Sequence, residues 1–244
     1  MKILALDTSS IVATVAILDG EKLMAEYTLN HKKNHSEKLM PILQEILNSC
    51  DLSPKDIDIF AATIGPGSFT GLRIGLATIK AMAQALDKPV VGISALEGLA
   101  FNLIHCENLI CPIIDAQRDL VYSGLYQWQN GEFINTMEDH VVSIEELLKD
   151  LKDRKENIIF LGDAMEKFTE LIKEELGEFA IFPPGIVRLA RASSIGELAR
   201  RKAEKGIFEK ASEVLPLYMR KSQAEKQWEE RQKMGDTGNG NDRS

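Results

Sequence analysis

Three glycines at four-residue spacing, Gly67, Gly71 and Gly75, open the segment IGPGSFTGLRIGLATIK at residues 64–80. Two kinds of chemistry suit such a run. A glycine-rich loop ahead of a helix can hold a phosphate on backbone N–H groups at the helix N-terminus. A helix with one face stripped of side chains lets a neighbouring helix approach its backbone closely. The phosphate patterns fail on spacing. Five residues separate Gly65 from Gly71 and three separate Gly67 from Gly71, with no lysine after Gly71, so G-x-x-x-x-G-K is not met. G-x-G-x-x-G starts at Gly65 and Gly67, but Thr70 takes the third glycine's place. The packing reading fits better. Residues four apart share a helix face, and Ala77, Ala81 and Ala85 continue small residues along a neighbouring one. Glycine inside a helix costs about 1 kcal/mol relative to alanine, and close approach would offset it. The spacing leaves open whether the neighbour is this chain's own core or a second chain.

Other reactive side chains make weaker cases. His31 and His35 have the four-residue spacing that would aim both rings at Zn²⁺ on a helix. No third ligand is evident, Lys32 and Lys33 repel a cation, and the helical pattern begins only at Ser36. His105 sits beside Cys106, but adjacent residues on a helix point apart, which argues against a nucleophile pair. Asp115, Arg118 and Asp119 form a charged cluster of the kind that pairs on a surface. Arg188, Arg191, Arg200, Arg201 and Lys202 are the densest basic stretch and read as a solvated helix face. Three cysteines, Cys50, Cys106 and Cys111, include no C-x-x-C pair and read as reduced thiols.

The elements that must position these groups are those of an α/β protein. The chain has 244 residues, 44% hydrophobic and 27% charged, with a net charge of −8. That balance suits a globular protein with a real core and gives no general attraction to nucleic acid. The N-terminal run is too short for a secretory segment and nothing approaches a membrane span, which points to the cytosol. KILALD reads as a buried strand, and Asp19-Gly20 signals a hairpin between two more. Leu39, Ile42, Leu43, Ile46 and Leu47 follow helical spacing, with Pro41 inside the pattern. A strand, the glycine helix to about Leu86, a further strand and a helix from Ala95 to about Ile104 complete a first lobe, 1–105. A second lobe, 106–225, again opens on a strand and hairpin. It ends in a helix capped by Ser193 or Ser194 and stopped by Gly206. Two such openings suggest internal duplication. The polar residues 226–244 offer too little apolar surface to order and are expected to be disordered.

Six segments in order resemble one family: LALDTSS at 4–10, HSEKLMP at 35–41, GPGSFTGLRIG at 65–75, ISALEGLA at 93–100, DAQRDLVYSGLY at 115–126 and PLYMRKSQAE at 216–225. They are similar to the TsaB (YeaZ) family, the non-catalytic partner subunits of the bacterial machinery that makes threonylcarbamoyladenosine at position 37 of certain tRNAs. The resemblance implies an actin/hexokinase-like (ASKHA, ribonuclease H-like) fold of two related lobes. It implies a docking surface for the catalytic relative TsaD on the glycine helix, through Gly67, Ser68, Phe69, Gly71, Leu72, Gly75 and Ile79. It also implies a homodimer in the absence of that partner, a TsaE-type ATPase joining the pair, and contact with tRNA through the complex.

The mechanism turns on ISALEGLA. TsaD carries two metal-binding histidines there, in the pattern N-H-L-E-G-H, where this chain has Ala95 and Leu99. Alanine and leucine offer no lone pair, so no metal is expected and no catalytic residue is assigned. In nucleotide-using members of the superfold, groups at the positions of Asp7, Thr8, Ser9, Gly162 and Asp163 contact Mg²⁺ and phosphate. Local turn chemistry is the simpler reading of them here, and a weak nucleotide site at a subunit seam stays open. The competing reading is a stand-alone enzyme of the same superfold, a metal-dependent peptidase or an ATP-dependent phosphotransferase.

Overall fold

The computed structural model describes residues 1–30 and 35–220. Its elements come in two halves of identical order. The first is β1 (Lys2–Asp7), β2 (Val12–Asp19), β3 (Lys22–Asn30), α1 (His35–Ser49), β4 (Ile59–Gly65), α2 (Phe69–Leu86), β5 (Val90–Ser94) and α3 (Ala95–Ala100). The second is β6 (Leu109–Asp115), β7 (Leu120–Gln129), β8 (Glu132–Ser143), α4 (Ile144–Lys152), β9 (Ile158–Leu161), α5 (Met165–Leu176), β10 (Ala180–Ile181) and α6 (Ala192–Glu204). The sheets have strand orders β3-β2-β1-β4-β5 and β8-β7-β6-β9-β10, which match position for position. Each is an antiparallel three-strand meander joined through its first strand to parallel strands. The duplication suggested by the two strand–hairpin openings is therefore present in the topology.

Local chemistry accounts for most elements. Gly20, at φ +58, turns the β2–β3 hairpin. The apolar stripe of α1 is buried in one cluster with Leu76, Ile79 and Ala83 of α2 and the outer face of the first sheet. Ser143 caps α4, its Oγ accepting the Glu146 N–H at 3.2 Å while donating to the Glu146 carboxylate at 3.0 Å. The helix expected to run to Ile104 ends at Ala100, and Trp128 Nε1 then donates to the carbonyl of Leu103 at 2.9 Å. Neither Ser193 nor Ser194 caps α6. The N–H and hydroxyl of Ser193 donate instead to the Glu26 carboxylate of β3, at 2.9 and 2.7 Å, and the helix starts at Ala192.

Among the described residues the two expected lobes, 1–105 and 106–225, pack on one another through exchanged elements. α6 crosses back and packs on β1, β2 and β5 of the first sheet. Ala192, Ile195, Leu198 and Ala199 are buried there, and the Ala192 N–H donates to Thr14 Oγ1 at 3.2 Å. α3 in turn touches β6 and β7. One cluster of buried residues therefore runs between the sheets and belongs to both halves. Beyond α6 the chain continues over the first lobe, burying Ala211 and Val214 in the α1–α2 core. The residues 221–244 and His31 lie outside the described residues, as does the side chain of His35.

Candidate functional site

Two places gather the residues singled out by sequence: the start of α2 and the cleft between the sheets. Ser68 caps α2, its Oγ accepting the Gly71 N–H at 3.2 Å. From there the glycine face is turned inward, onto the loop that follows β1. A Cβ on Gly67 would lie 2.3 Å from the carbonyl oxygen of Ser9, one on Gly71 2.0 Å from that of Thr8, and one on Gly75 2.3 Å from Thr8 Oγ1. Thr8 Oγ1 donates to the carbonyl of Gly71 at 2.8 Å. Leu72 and Ile79 are buried beside them. Within the chain, Gly71, Leu72, Gly75 and Ile79 of the expected seam thus lie on the inner side of α2, with the close approach to the two glycines made by Thr8 of the loop after β1. Of the other seam residues, Gly67 meets Ser9, Ser68 is exposed as the cap, and Phe69 stacks on Tyr218 with centroids 4.7 Å apart. What α2 shows to solvent is the opposite ridge, Thr70, Arg73, Ala77, Ala81 and Gln84. α1 beside it exposes Met40, Pro41 and Gln44.

The cleft receives Asp7 from the end of β1, Ala95 and Leu99 from α3, and Gly162 and Asp163 from the turn after β9. Asp7 is buried, and its Oδ1 accepts the Ser9 N–H at 2.6 Å. Asp163 Oδ1 accepts the Asp115 N–H at 3.0 Å. Burial pushes the Asp163 carboxyl above its ordinary range. The N–H bond from Asp115 opposes that, and the Asp115 charge adds to it. Four of the five residues expected at a nucleotide site, Asp7, Ser9, Gly162 and Asp163, therefore line one cleft, while the Thr8 hydroxyl is bonded to α2. The space among them is about 20 Å³, room for about one water. Ala95 and Leu99 line the wall with carbon alone, and among the described residues no group of three or more His, Cys, Asp and Glu side chains could hold an ion.

The remaining candidates are held in local contacts. Asp119 pairs with Lys167 at 2.8 Å, not with Arg118. Gln117, Arg118 and Asp119 all have positive φ, at 64°, 55° and 61°. His105 packs against Trp128 in a tilted ring contact, centroids 4.9 Å apart. Four members of the basic stretch are paired with acids, Arg191 with Glu26, Arg200 with Glu197 and Glu204, Arg201 with Glu197, and Lys202 with Glu97, while Arg188 Nε donates to the Pro183 carbonyl. All three cysteines are free, and burial pushes the Cys111 thiol up to about 12.

Sequence reasoning missed one polar junction between the halves. The Asp139 carboxylate of β8 accepts from Tyr126 Oη at 2.5 Å and from Ser94 Oγ, at the start of α3, at 2.6 Å. Gly124 makes room for it, since a Cβ there would stand 2.4 Å from Asp139 Oδ1. Burial, then the Asp139 charge and hydrogen bond, push the Tyr126 hydroxyl far up and keep it a donor. Tyr126 and Asp139 are 13 residues apart and Ser94 is 45 from Asp139, spacings that carry no local pattern to betray the contact.

Comparison with known proteins settles the family. Residues 22–228 match the model of the TsaD family, described as tRNA N6-adenosine threonylcarbamoyltransferase. A relative from Bacillus subtilis, the tRNA threonylcarbamoyladenosine biosynthesis protein TsaB, is 36% identical over 233 residues, covering 96% of this chain and 100% of its own. The chain belongs to the TsaB family. A Pseudomonas aeruginosa structure described as similar to peptidase YEAZ superposes with a TM-score of 0.78 at 26% identity, covering 90% of this chain and 99% of its own. Component A of the (R)-2-hydroxyglutaryl-CoA dehydratase of Acidaminococcus fermentans shares the fold alone, at TM-score 0.50 and 12% identity, over 84% of this chain and 99% of its own. The two sheets of matching strand order are thus the fold shared with the YeaZ-like structure. Among the described residues no helix is long and apolar enough to cross a membrane.

Proposed function

We propose that this chain is a subunit of the machinery for tRNA threonylcarbamoyladenosine biosynthesis and acts there as a non-catalytic scaffold for a TsaD-type subunit. The observation that carries the reading is the lining of the cleft. Ala95 and Leu99 face Asp7 and Asp163 across a space of about 20 Å³. A transferase of this superfold needs groups there that hold a metal or a phosphate and orient the acyl donor. Carbon side chains supply neither, so chemistry falls to the partner and this chain's contribution is a surface.

The surface best suited is the exposed ridge of α2 with its alanines, beside the exposed side of α1. Small residues let a partner helix approach closely, the same steric logic that the glycines use on the inner face. Alone, the chain pairs with a second copy through that ridge, and a TsaE-type ATPase joins the mixed complex. Transfer of threonylcarbamoyl to tRNA adenosine 37 by the TsaD-type subunit, with and without this chain, tests the reading. Formation of the modified nucleoside should depend on the chain. Transfer by this chain alone, or transfer indifferent to its presence, would refute it.

A further inference from the structure

The segment after α6 returns along the flank of α2 in the opposite direction. Glu209 and Val90 exchange N–H···O bonds of 2.8 and 2.9 Å at the far end. Lys80 Nζ donates to the Val214 carbonyl at 2.7 Å midway. The Leu217 N–H donates to the Ile64 carbonyl at 2.7 Å, and Arg73 Nε donates to Tyr218 Oη at 3.0 Å, at the near end. Gly65, at φ +126, admits this crossing, because a Cβ there would lie 2.5 Å from the Leu217 carbonyl oxygen. The segment is therefore fixed along its length by its backbone and by Val214, which is buried.

What it holds outward is apolar. In the run Leu215–Tyr218, Leu215 is 71% exposed and Leu217 and Tyr218 are each 39% exposed. Leu215 is the most exposed of them and shows its face to solvent. Clustered apolar side chains on a rigid, prepaid backbone lose little entropy when a partner covers them. Arg73 and Arg220 stand at the same end, so the surface suits apolar side chains rimmed by carboxylates.

We infer that this strap forms the second wall of the docking surface on α2, and that the partner subunit seated on the alanine ridge also covers Leu215, Leu217 and Tyr218. The inference rests on the assignment of α2 as the docking helix. The occupant is the TsaD-type subunit, since the strap lies directly alongside the ridge assigned to it.

Two exposed positions separate the claims. Ala81→Glu probes the ridge, and Leu215→Asp probes the strap without touching a buried group. Calorimetric titration of the full chain against the purified TsaD-type subunit gives the affinity, and thermal melting confirms that each variant is folded. Losses of tenfold or more for both variants support the strap as part of the surface. Loss with Ala81→Glu and unchanged affinity with Leu215→Asp overturns the strap and leaves the ridge standing. Unchanged affinity with Ala81→Glu removes the ridge, and with it the shared surface, whatever Leu215→Asp does.

Discussion

Thr8 and Gly71 lock the end of the first strand to α2 from both sides of one contact. The Thr8 hydroxyl donates to the Gly71 carbonyl at 2.8 Å, and a Cβ on Gly71 would stand 2.0 Å from the Thr8 carbonyl oxygen. The obstacle is backbone, which has no rotamer to yield. Gly71→Ala should therefore destabilise the chain by about 2–3 kcal/mol, although alanine is the better helix former. Urea unfolding measures it. Ala81→Ser on the outer ridge serves as the control and should be near neutral. A stable Gly71→Ala protein would mean that α2 does not lie on β1 as described.

That contact also shows what the sequence disclosed and what it withheld. Four-residue spacing announced a helix with a smooth face through three glycines; Gly71 and Gly75 are on α2, while Gly67 precedes its cap Ser68. Spacing has no power to name the neighbour. The smooth face met Thr8 and Ser9, residues some sixty positions away, because β1 and β4 are parallel neighbours and α2 springs from the end of β4. The cleft was more legible, since Asp7 ends one strand and Gly162 and Asp163 directly follow another, where short polar turn residues stand out in the sequence. Asp139 with Tyr126 and Ser94 was not legible, because a side chain crossing between halves leaves no periodicity. The return of α6 to the first sheet was missed for the same reason: an amphipathic helix declares a buried face but not what buries it.

The return of α6 predicts that the first half does not stand alone. Without α6 and the strap, a fragment of residues 1–105 exposes the sheet face under Ile195 and Leu198 and the pocket filled by Val214. Loss of such buried side chains costs about 1.5–3 kcal/mol each, comparable in sum to the whole stability of a small domain. The fragment should show no cooperative thermal transition by circular dichroism. A sharp transition would restore the boundary near residue 105.

Glu26 links β3 to the start of α6, and its titration should be visible in stability. Burial raises its pKa, but the hydrogen bonds from Ser193 and the Arg191 charge outweigh that and hold it below 4.5. A carboxylate with a depressed folded pKa adds stability that is full above its unfolded pKa and is lost as pH falls through the folded one. Glu26→Gln should cost about 1–2 kcal/mol at neutral pH. The gap to the parent should close as pH drops below 4.5, which melting temperatures across pH 3–7 would reveal. A gap independent of pH would assign the loss to packing.

Asp163 should behave in the opposite sense. Burial, the dominant influence, raises its pKa above 3.8. Keeping it ionised at neutral pH is a cost that vanishes below the unfolded pKa and is complete above the folded one. Asparagine retains the oxygen that accepts the Asp115 N–H and removes the charge. Asp163→Asn should melt higher than the parent at pH 7 and equal to it near pH 3. A lower melting temperature at pH 7 would show that the carboxylate is used in the folded chain.

The cleft itself gives the most direct test of the division of labour. Its walls bring Asp7 and Asp163 to a space of about 20 Å³ whose other side is Ala95 and Leu99. An adenine nucleotide would have to part the halves to enter, and parting them breaks the Ser94–Asp139 bond and exposes the apolar cluster that both halves share. Both losses oppose binding. Titration calorimetry of the isolated chain with ATP and Mg²⁺ should therefore give no heat of binding in the micromolar range. Elemental analysis of the purified protein should find no stoichiometric Zn or Fe. Leu99→Ala widens the cleft without adding a ligand and should leave both results unchanged. Micromolar ATP binding by the parent chain, lost in Asp7→Ala, would show that the halves open readily and would return the cleft to the list of working sites.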